Sequence, residues 1–106
     1  MGVNPTLKDR QRHILFRVVG QAKVGEEEAR RAAYGAILRF LGELGFSEAS
    51  PKLMLFDEAR QEGVLKVERS QAERVKAALA LATEAGGKPA ALRVLKVSGT
   101  IKRLKG

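Results

Sequence analysis

Residues 12–20 have the sequence RHILFRVVG, a short run rich in β-branched and aromatic residues. Such a run favours a β-strand. Alternation along a strand places Ile14, Phe16 and Val18 on one face. The other face carries a less apolar set: His13, Leu15 and Arg17. We therefore expect this strand to cover a core on one side only.

A helical pattern follows the strand after the loop QAKVG. Glu26, Glu27 and Glu28 lie in its first turn, where the helix dipole favours negative charge. The apolar residues at helical spacing, predicted to be its buried stripe, are Ala29, Ala33, Ile37, Phe40, Leu41 and Leu44. Gly45 is expected to end the helix. Gly35 and Gly42 are interpreted as points of close packing against a neighbouring element.

The second half of the chain predicts a hairpin, a helix and a last strand. The hairpin strands are residues 52–58 and 63–69, and the last strand is residues 90–99. Ser70, with Glu73 three residues later, predicts a capping box for a helix that extends to about Ala85. Its predicted inward residues are Ala72, Val75, Ala78, Leu79 and Ala82.

The predicted order is strand, helix, strand, strand, helix, strand. This order indicates an α+β, ferredoxin-like βαββαβ sandwich: a four-stranded antiparallel sheet with two main helices on one face. The 106 residues are expected to form a single domain, residues 1–106. Residues 1–11 form a basic N-terminal segment that need not be ordered in the free protein.

Positive charge is concentrated at the two ends of the chain. The sequence has 20 Lys and Arg against 12 Asp and Glu, a formal net charge of +8. Residues 1–24 carry five bases and one acid, and residues 85–106 carry six bases and no acid. Such a distribution indicates a polyanionic partner, usually nucleic acid, with a solubilising charge bias as the alternative.

In the predicted topology the last strand lies antiparallel to the first, so the two basic ends converge. Ser98 and Gly99 are predicted to form the bend at which the chain leaves the sheet. The bases expected to form one patch are Lys8, Arg10, Arg12, Lys102, Arg103 and Lys105. Arg17, Arg93 and Lys96 are expected to extend this patch along the sheet. Lys and Arg at such positions would contact the nucleic-acid backbone and would recognise charge and shape.

The residue inventory argues against a catalytic or metal site. The chain has one His and no Cys, so a Cys–His pair is impossible, and His13 has no second His at metal-ligand spacing. No catalytic residue, metal ligand or bound cofactor is therefore predicted. The absence of Cys permits a reducing compartment, and no stretch has the length of a signal peptide or a membrane span. A cytoplasmic protein with no membrane partner is expected.

Several stretches together carry a family resemblance. PTLKDRQRHILFRV (Pro5 to Val18), EGVLKVER, AALALATEAGG and above all VLKVSGTIKRL resemble the ribonuclease P protein component 2 family, over nearly the whole chain and in the same order. This family is the small subunit of archaeal ribonuclease P and of eukaryotic ribonuclease P and MRP. The third strand departs from the family pattern, because Lys66 stands where the family more often has Arg.

The resemblance implies a fold like an RNA-recognition module and a protein that does not cut RNA itself. It implies binding to the ribonuclease P RNA, with precursor tRNA as an indirect partner, in the removal of 5′ leaders. It also implies assembly with ribonuclease P protein component 3, with a homodimer inside a heterotetramer. The expected cofactor is Mg²⁺ held by the partner RNA.

Two other functions remain open from the residues alone. One is a protein–protein assembly or scaffold module whose basic charge is incidental, since Leu15 and Val19 make the outer sheet face partly apolar. The other is a small hydrolase of the same fold, which would need a phosphate or metal site that the sequence does not show.

Overall fold

The structure is a computed structural model that describes residues 10–99. Its centre is strand β1, Gln11–Gly20, which pairs antiparallel with β3, Glu62–Glu68, on one side and with β5, Lys88–Ser98, on the other. Strand β2, Lys52–Asp57, lies beyond β3, and the short β4, Glu84–Ala85, pairs with the start of β5. The sheet order is β2-β3-β1-β5-β4.

The prediction of an α+β sandwich is confirmed, but the prediction of four strands is wrong. The four long strands lie in the expected order, with the last strand beside the first. The additional strand, β4, forms because the helix predicted to reach Ala85 ends at Ala80. Gly86 and Gly87 then adopt positive φ angles of 61° and 77°, which glycine tolerates, and turn the chain back into β5.

Two helices cover one face of the sheet. Helix α1 is Glu26–Ala49 and helix α2 is Ala72–Ala80. Their inward residues form one hydrophobic cluster with the predicted core face of β1, Ile14, Phe16 and Val18. The predicted inward residues of α2 all belong to this cluster or pack against it. Burial of this apolar surface is the main favourable term for the domain.

Helix α1 corrects three predictions at once. It continues past Gly45 to Ala49, but Gly42, with φ 77° and ψ 177°, breaks its regular geometry. Phe40, just before the break, and Leu44, just after it, are 42% and 73% exposed instead of buried. The predicted close packing at Gly35 and Gly42 is wrong, since no atom lies within 4 Å of where their β-carbons would be.

The start of α2 also differs from the prediction. A 3-10 turn, Arg69–Gln71, precedes the helix, so Gln71 and not Ser70 is the residue that flanks its first turn. No side-chain hydrogen bond caps α2. The capping interaction occurs at α1, where the backbone N–H of Gly25 donates to Oε1 of Glu28 at 3.0 Å.

Gln61 holds the β2–β3 turn against the loop before α1. Its side-chain oxygen accepts a hydrogen bond from the N–H of Val24 at 2.9 Å, and its amide nitrogen donates to the carbonyls of Val24 and Glu58, each at 2.9 Å. The residue is buried and has a φ of 56°. A buried amide with its partners satisfied fixes this turn in one arrangement.

A close contact in the core joins β1 to β3. A β-carbon at Gly63 would lie 2.9 Å from the Phe16 ring and 3.0 Å from the Phe56 ring. We predict that Gly63→Ala lowers the free energy of unfolding by about 1–3 kcal/mol, because overpacking forces neighbouring rings to shift. Urea unfolding measures the effect.

Gly35→Ala is the matched control, because a β-carbon at this helical position meets no atom within 4 Å. It should raise the free energy of unfolding by roughly 0.5–1 kcal/mol through helix propensity. Equal effects of the two substitutions would contradict the packing assigned to Gly63.

Candidate nucleic-acid interface

The two ends of the described chain meet at one end of the sheet. His13 of β1 lies opposite Ser98 of β5, and β5 ends there. Gly99 follows in a bend, with its β-carbon position 3.8 Å from Nη1 of Arg12. The predicted bend is therefore present at Gly99, and β1 begins at the same end of the sheet at which β5 ends.

The predicted site residues divide into three sets. Lys8, Lys102, Arg103 and Lys105 lie outside the described residues, so their place in the patch stays a prediction. Arg10 is exposed just before β1. Arg12 lies opposite Val67, a core residue, and is therefore on the helix side of the sheet. Its Nη1 donates to the carbonyl of Gln11 at 3.0 Å.

Arg17, Arg93 and Lys96 share the outer face, the side of the sheet away from the helices. Arg17 lies opposite Arg93, and Lys96 lies opposite Leu15. The Arg17 guanidinium forms an ion pair with Glu62, and its Nε donates to Oε2 of Glu62 at 3.1 Å. Arg93 and Lys96 are exposed and extend the positive charge toward the middle of β5.

Two bases that the prediction of site residues omitted, Lys52 and Lys66, also lie on the outer face. Lys66 is directly opposite His13 on one side and Lys52 on the other. Alternation along β3 could have placed Lys66 on this face. The position of Lys52 could not be predicted, because a bulge between Leu53 and Leu55 sets the register of β2.

The outer face of the described sheet carries no Tyr or Phe. Its β1 residues are His13, Leu15, Arg17 and Val19. Phe16, Tyr34, Phe46 and Phe56 belong to the core or pack against it, and Phe40 is on α1. Stacking of bases on sheet aromatics, the usual mode of RNA-recognition modules, is therefore unavailable to residues 10–99.

Residues 10–99 hold no group of three or more His, Asp or Glu side chains that could bind a metal ion. Within the same range, neither helix combines the length and the apolar character needed to cross a membrane.

A second surface lies on the helix layer. An open groove of about 250 Å³ between α1 and the end of α2 is lined by Gly35, Phe40, Leu81 and Ala82, with Arg31 and Arg39 at its border. Leu81 is 54% exposed. Exposed apolar side chains grouped in this way are typical of a protein-contact surface.

The architecture places the chain among small α+β domains whose antiparallel sheet has one face covered by helices and one face open. The model of the Rpp14/Pop5 family matches residues 12–106. The chain therefore belongs to the Rpp14/Pop5 family.

Curated relatives agree with this assignment. Ribonuclease P protein component 2 of Pyrococcus furiosus is 43% identical over 101 residues, which cover 95% of this chain and 84% of that protein. The protein of the same name from Archaeoglobus fulgidus is 36% identical and covers 98% of this chain and 93% of its own.

A solved structure supports the fold. One chain in the cryo-EM structure of yeast ribonuclease MRP aligns with a TM-score of 0.71, at 11% identity, over 86% of this chain and 75% of that one. At this identity the likeness concerns the fold alone.

His13 makes the stability of this end of the sheet depend on pH. Burial is the main cause that lowers the pKa of His13, and the positive charge of Lys66 lowers it further. A hydrogen bond with the Gly99 backbone raises this pKa by a smaller amount. Its Nδ1 is buried and has no hydrogen-bond partner within residues 10–99. Below the unfolded pKa of about 6.5 the unfolded chain binds more protons at this site than the folded protein does.

We predict that the free energy of unfolding falls as pH decreases from 7 through the region below 6.5, because protonation of His13 is disfavoured in the folded state. His13→Gln removes this contribution, so its stability should fall less over the same interval. Urea unfolding at a series of pH values measures the difference, and parallel curves for the two proteins would contradict it.

Proposed function

We propose that this protein is a subunit of ribonuclease P that binds the catalytic RNA and supports the removal of 5′ leaders from precursor tRNA. The observation that carries this proposal is the family match over residues 12–106, together with relatives named ribonuclease P protein component 2. The protein supplies no catalytic residue of its own in this proposal. Mg²⁺ bound by the RNA provides the chemistry.

The basic end of the sheet is the proposed RNA contact. Arg10, Arg93 and Lys96 give it positive charge within the described residues, and Lys8, Lys102, Arg103 and Lys105 are the proposed extension. Contacts of Lys and Arg with phosphates release counterions, so binding should weaken steeply with salt. The lack of outer-face aromatics favours recognition of the backbone over recognition of bases.

The proposed protein partner is ribonuclease P protein component 3, in an assembly of two copies of each subunit. The groove between α1 and α2 favours a contact on the helix layer, since the exposed apolar side chains of Phe40 and Leu81 lie in it. Precursor tRNA is an indirect partner, and the cytoplasm is the proposed compartment.

The same groove supports the second candidate, an assembly module whose basic charge is incidental. The two functions differ in their response to salt. An assembly module associates through apolar surface and keeps its partner at high salt, whereas a backbone-binding protein loses its RNA. Light scattering and RNA binding at low and high salt separate them.

The first test reverses two charges of the proposed patch. We predict that Lys102→Glu with Arg103→Glu weakens binding to the ribonuclease P RNA and reduces precursor-tRNA cleavage in a reconstituted reaction at limiting Mg²⁺. Losing two phosphate contacts should reduce the slope of log K against log salt by about 2.

The matched control makes the same change in net charge at two residues distant from the proposed patch. Arg31 of α1 is near β4 and Lys88 begins β5, at the opposite end of that strand from Ser98. Arg31→Glu with Lys88→Glu should leave the salt slope close to that of the unchanged protein. An equal loss in both double variants would show a general charge effect and would refute the patch.

The second test addresses the groove. We predict that Leu81→Glu weakens association with component 3, because it places a charge in the groove, and that it leaves RNA affinity unchanged. Since Leu81 is exposed, the substitution should change the free energy of unfolding by about 0.5 kcal/mol or less. Met54→Glu, at a 39% exposed residue on the opposite edge of the sheet, is the control. Native mass spectrometry of the mixed proteins measures the assembly, and intact assembly with Leu81→Glu would contradict the assignment.

A further inference from the structure

A row of bases crosses the outer face of the sheet. Lys66 on β3 lies directly between His13 on β1 and Lys52 on β2. Side chains directly opposite one another in an antiparallel sheet have Cβ atoms about 4.5–5.5 Å apart, and like charges in such pairs are destabilising. The direct pairing of Lys52 with Lys66 therefore lowers the stability of the folded protein.

No carboxylate of the described chain is in direct contact with this pair, although Glu68 lies two residues from Lys66 on the same face. Within residues 10–99, neither lysine forms an ion pair. Another row of the same face is balanced, since it holds Asp57, Glu62, Arg17 and Arg93, with Arg17 and Glu62 in contact. The row of Lys52 and Lys66 therefore carries positive charge with no ion-pair partner, unlike the row of Arg17 and Glu62.

An open cavity of about 270 Å³ lies at this row. Its lining includes Lys52, Lys66, Gln11, Ser50 and Glu68. This volume is several times the roughly 30 Å³ that one water molecule occupies in the liquid, so a phosphate group fits. Two ammonium groups, a hydroxyl and an amide can all donate hydrogen bonds to it, and Glu68 is the one acid of the lining.

We propose that this cavity binds a backbone phosphate of the partner RNA, with Lys52 and Lys66 as its ligands and Glu68 as a charge that limits its affinity. The inference rests on the RNA-binding function proposed above and adds a site on the outer face, beyond the bases at the chain ends. Lysine is a compact point charge without the fork of arginine, and it suits a contact that recognises the backbone and not the base.

The experiment measures binding of the full chain to ribonuclease P RNA over a series of salt concentrations. Lys52→Gln with Lys66→Gln should weaken binding and reduce the slope of log K against log salt by about 1, the value for one phosphate contact. The same double variant should be at least as stable as the unchanged protein without RNA, because the like-charge pair is removed. A merely structural role for the lysines would instead lower the stability.

Glu68→Gln should change the RNA affinity in the opposite direction. It should tighten RNA binding by about two- to five-fold, the range expected for one exposed charge interaction. Glu73→Gln is the matched control, because Glu73 is an exposed carboxylate of α2 that contacts Lys76 on the helix layer. Equal effects of the two glutamine variants, with an unchanged salt slope in the lysine double variant, would overturn the site.

Inorganic phosphate distinguishes the source of the anion. The first measurement compares the unfolding temperature of the unchanged protein in phosphate with that in chloride at the same ionic strength. If phosphate raises this temperature and the lysine double variant still binds RNA normally, the cavity binds free phosphate and the RNA assignment is wrong. If the unchanged protein itself does not bind the RNA, the proposed function fails. If it binds and only the variants show no effect, this site alone fails.

Discussion

The structure depends on the contact between Phe16 and Gly63. Phe16 is fully buried at the middle of β1, and its ring occupies the space that a side chain at position 63 would need. Only glycine on β3 lets the ring lie this close, and the ring in turn fills the core beneath both helices. Because β1 pairs with both β3 and β5, this one contact fixes how the two halves of the chain are joined. The same alternation places Ile14, Phe16 and Val18 toward the helices and leaves His13, Leu15, Arg17 and Val19 on the open outer face.

The order of the elements and the core face of β1 could be predicted from the sequence, because they follow from local periodicity. Alternation through Ile14, Phe16 and Val18 and the inward residues of α2 carry enough information without any tertiary context. The convergence of the chain ends also follows from topology, and the pairing of His13 with Ser98 confirms it for the described residues. At these positions the local hydrophobic pattern and the strand pairing favour the same structure, which is typical of sequences that specify one fold.

What could not be predicted depends on backbone geometry and on contacts distant in sequence. Periodicity assumes a regular helix against a full-length cover, so it could show neither the break at Gly42 nor the exposure of Phe40 and Leu44. The strand β4 is only two residues long, and its formation depends on two glycines with positive φ and not on a hydrophobic pattern. The row of Lys52 and Lys66 requires the register across three strands, which a bulge in β2 determines. Gln61 shows no signal in the sequence, because two of its three hydrogen bonds are to Val24, which belongs to a separate loop.

The irregular registers have a consequence for how this sheet meets other chains. An exposed edge strand is a template to which a foreign strand can add. In the described domain both long edges are interrupted: β2 has a register shift between Leu53 and Leu55, and the pairing of β5 with β1 shifts opposite Leu15 and Phe16. Bulged edges twist away from flat pairing, and β4 covers the start of β5. Copies of the domain are thereby protected from open-ended sheet extension.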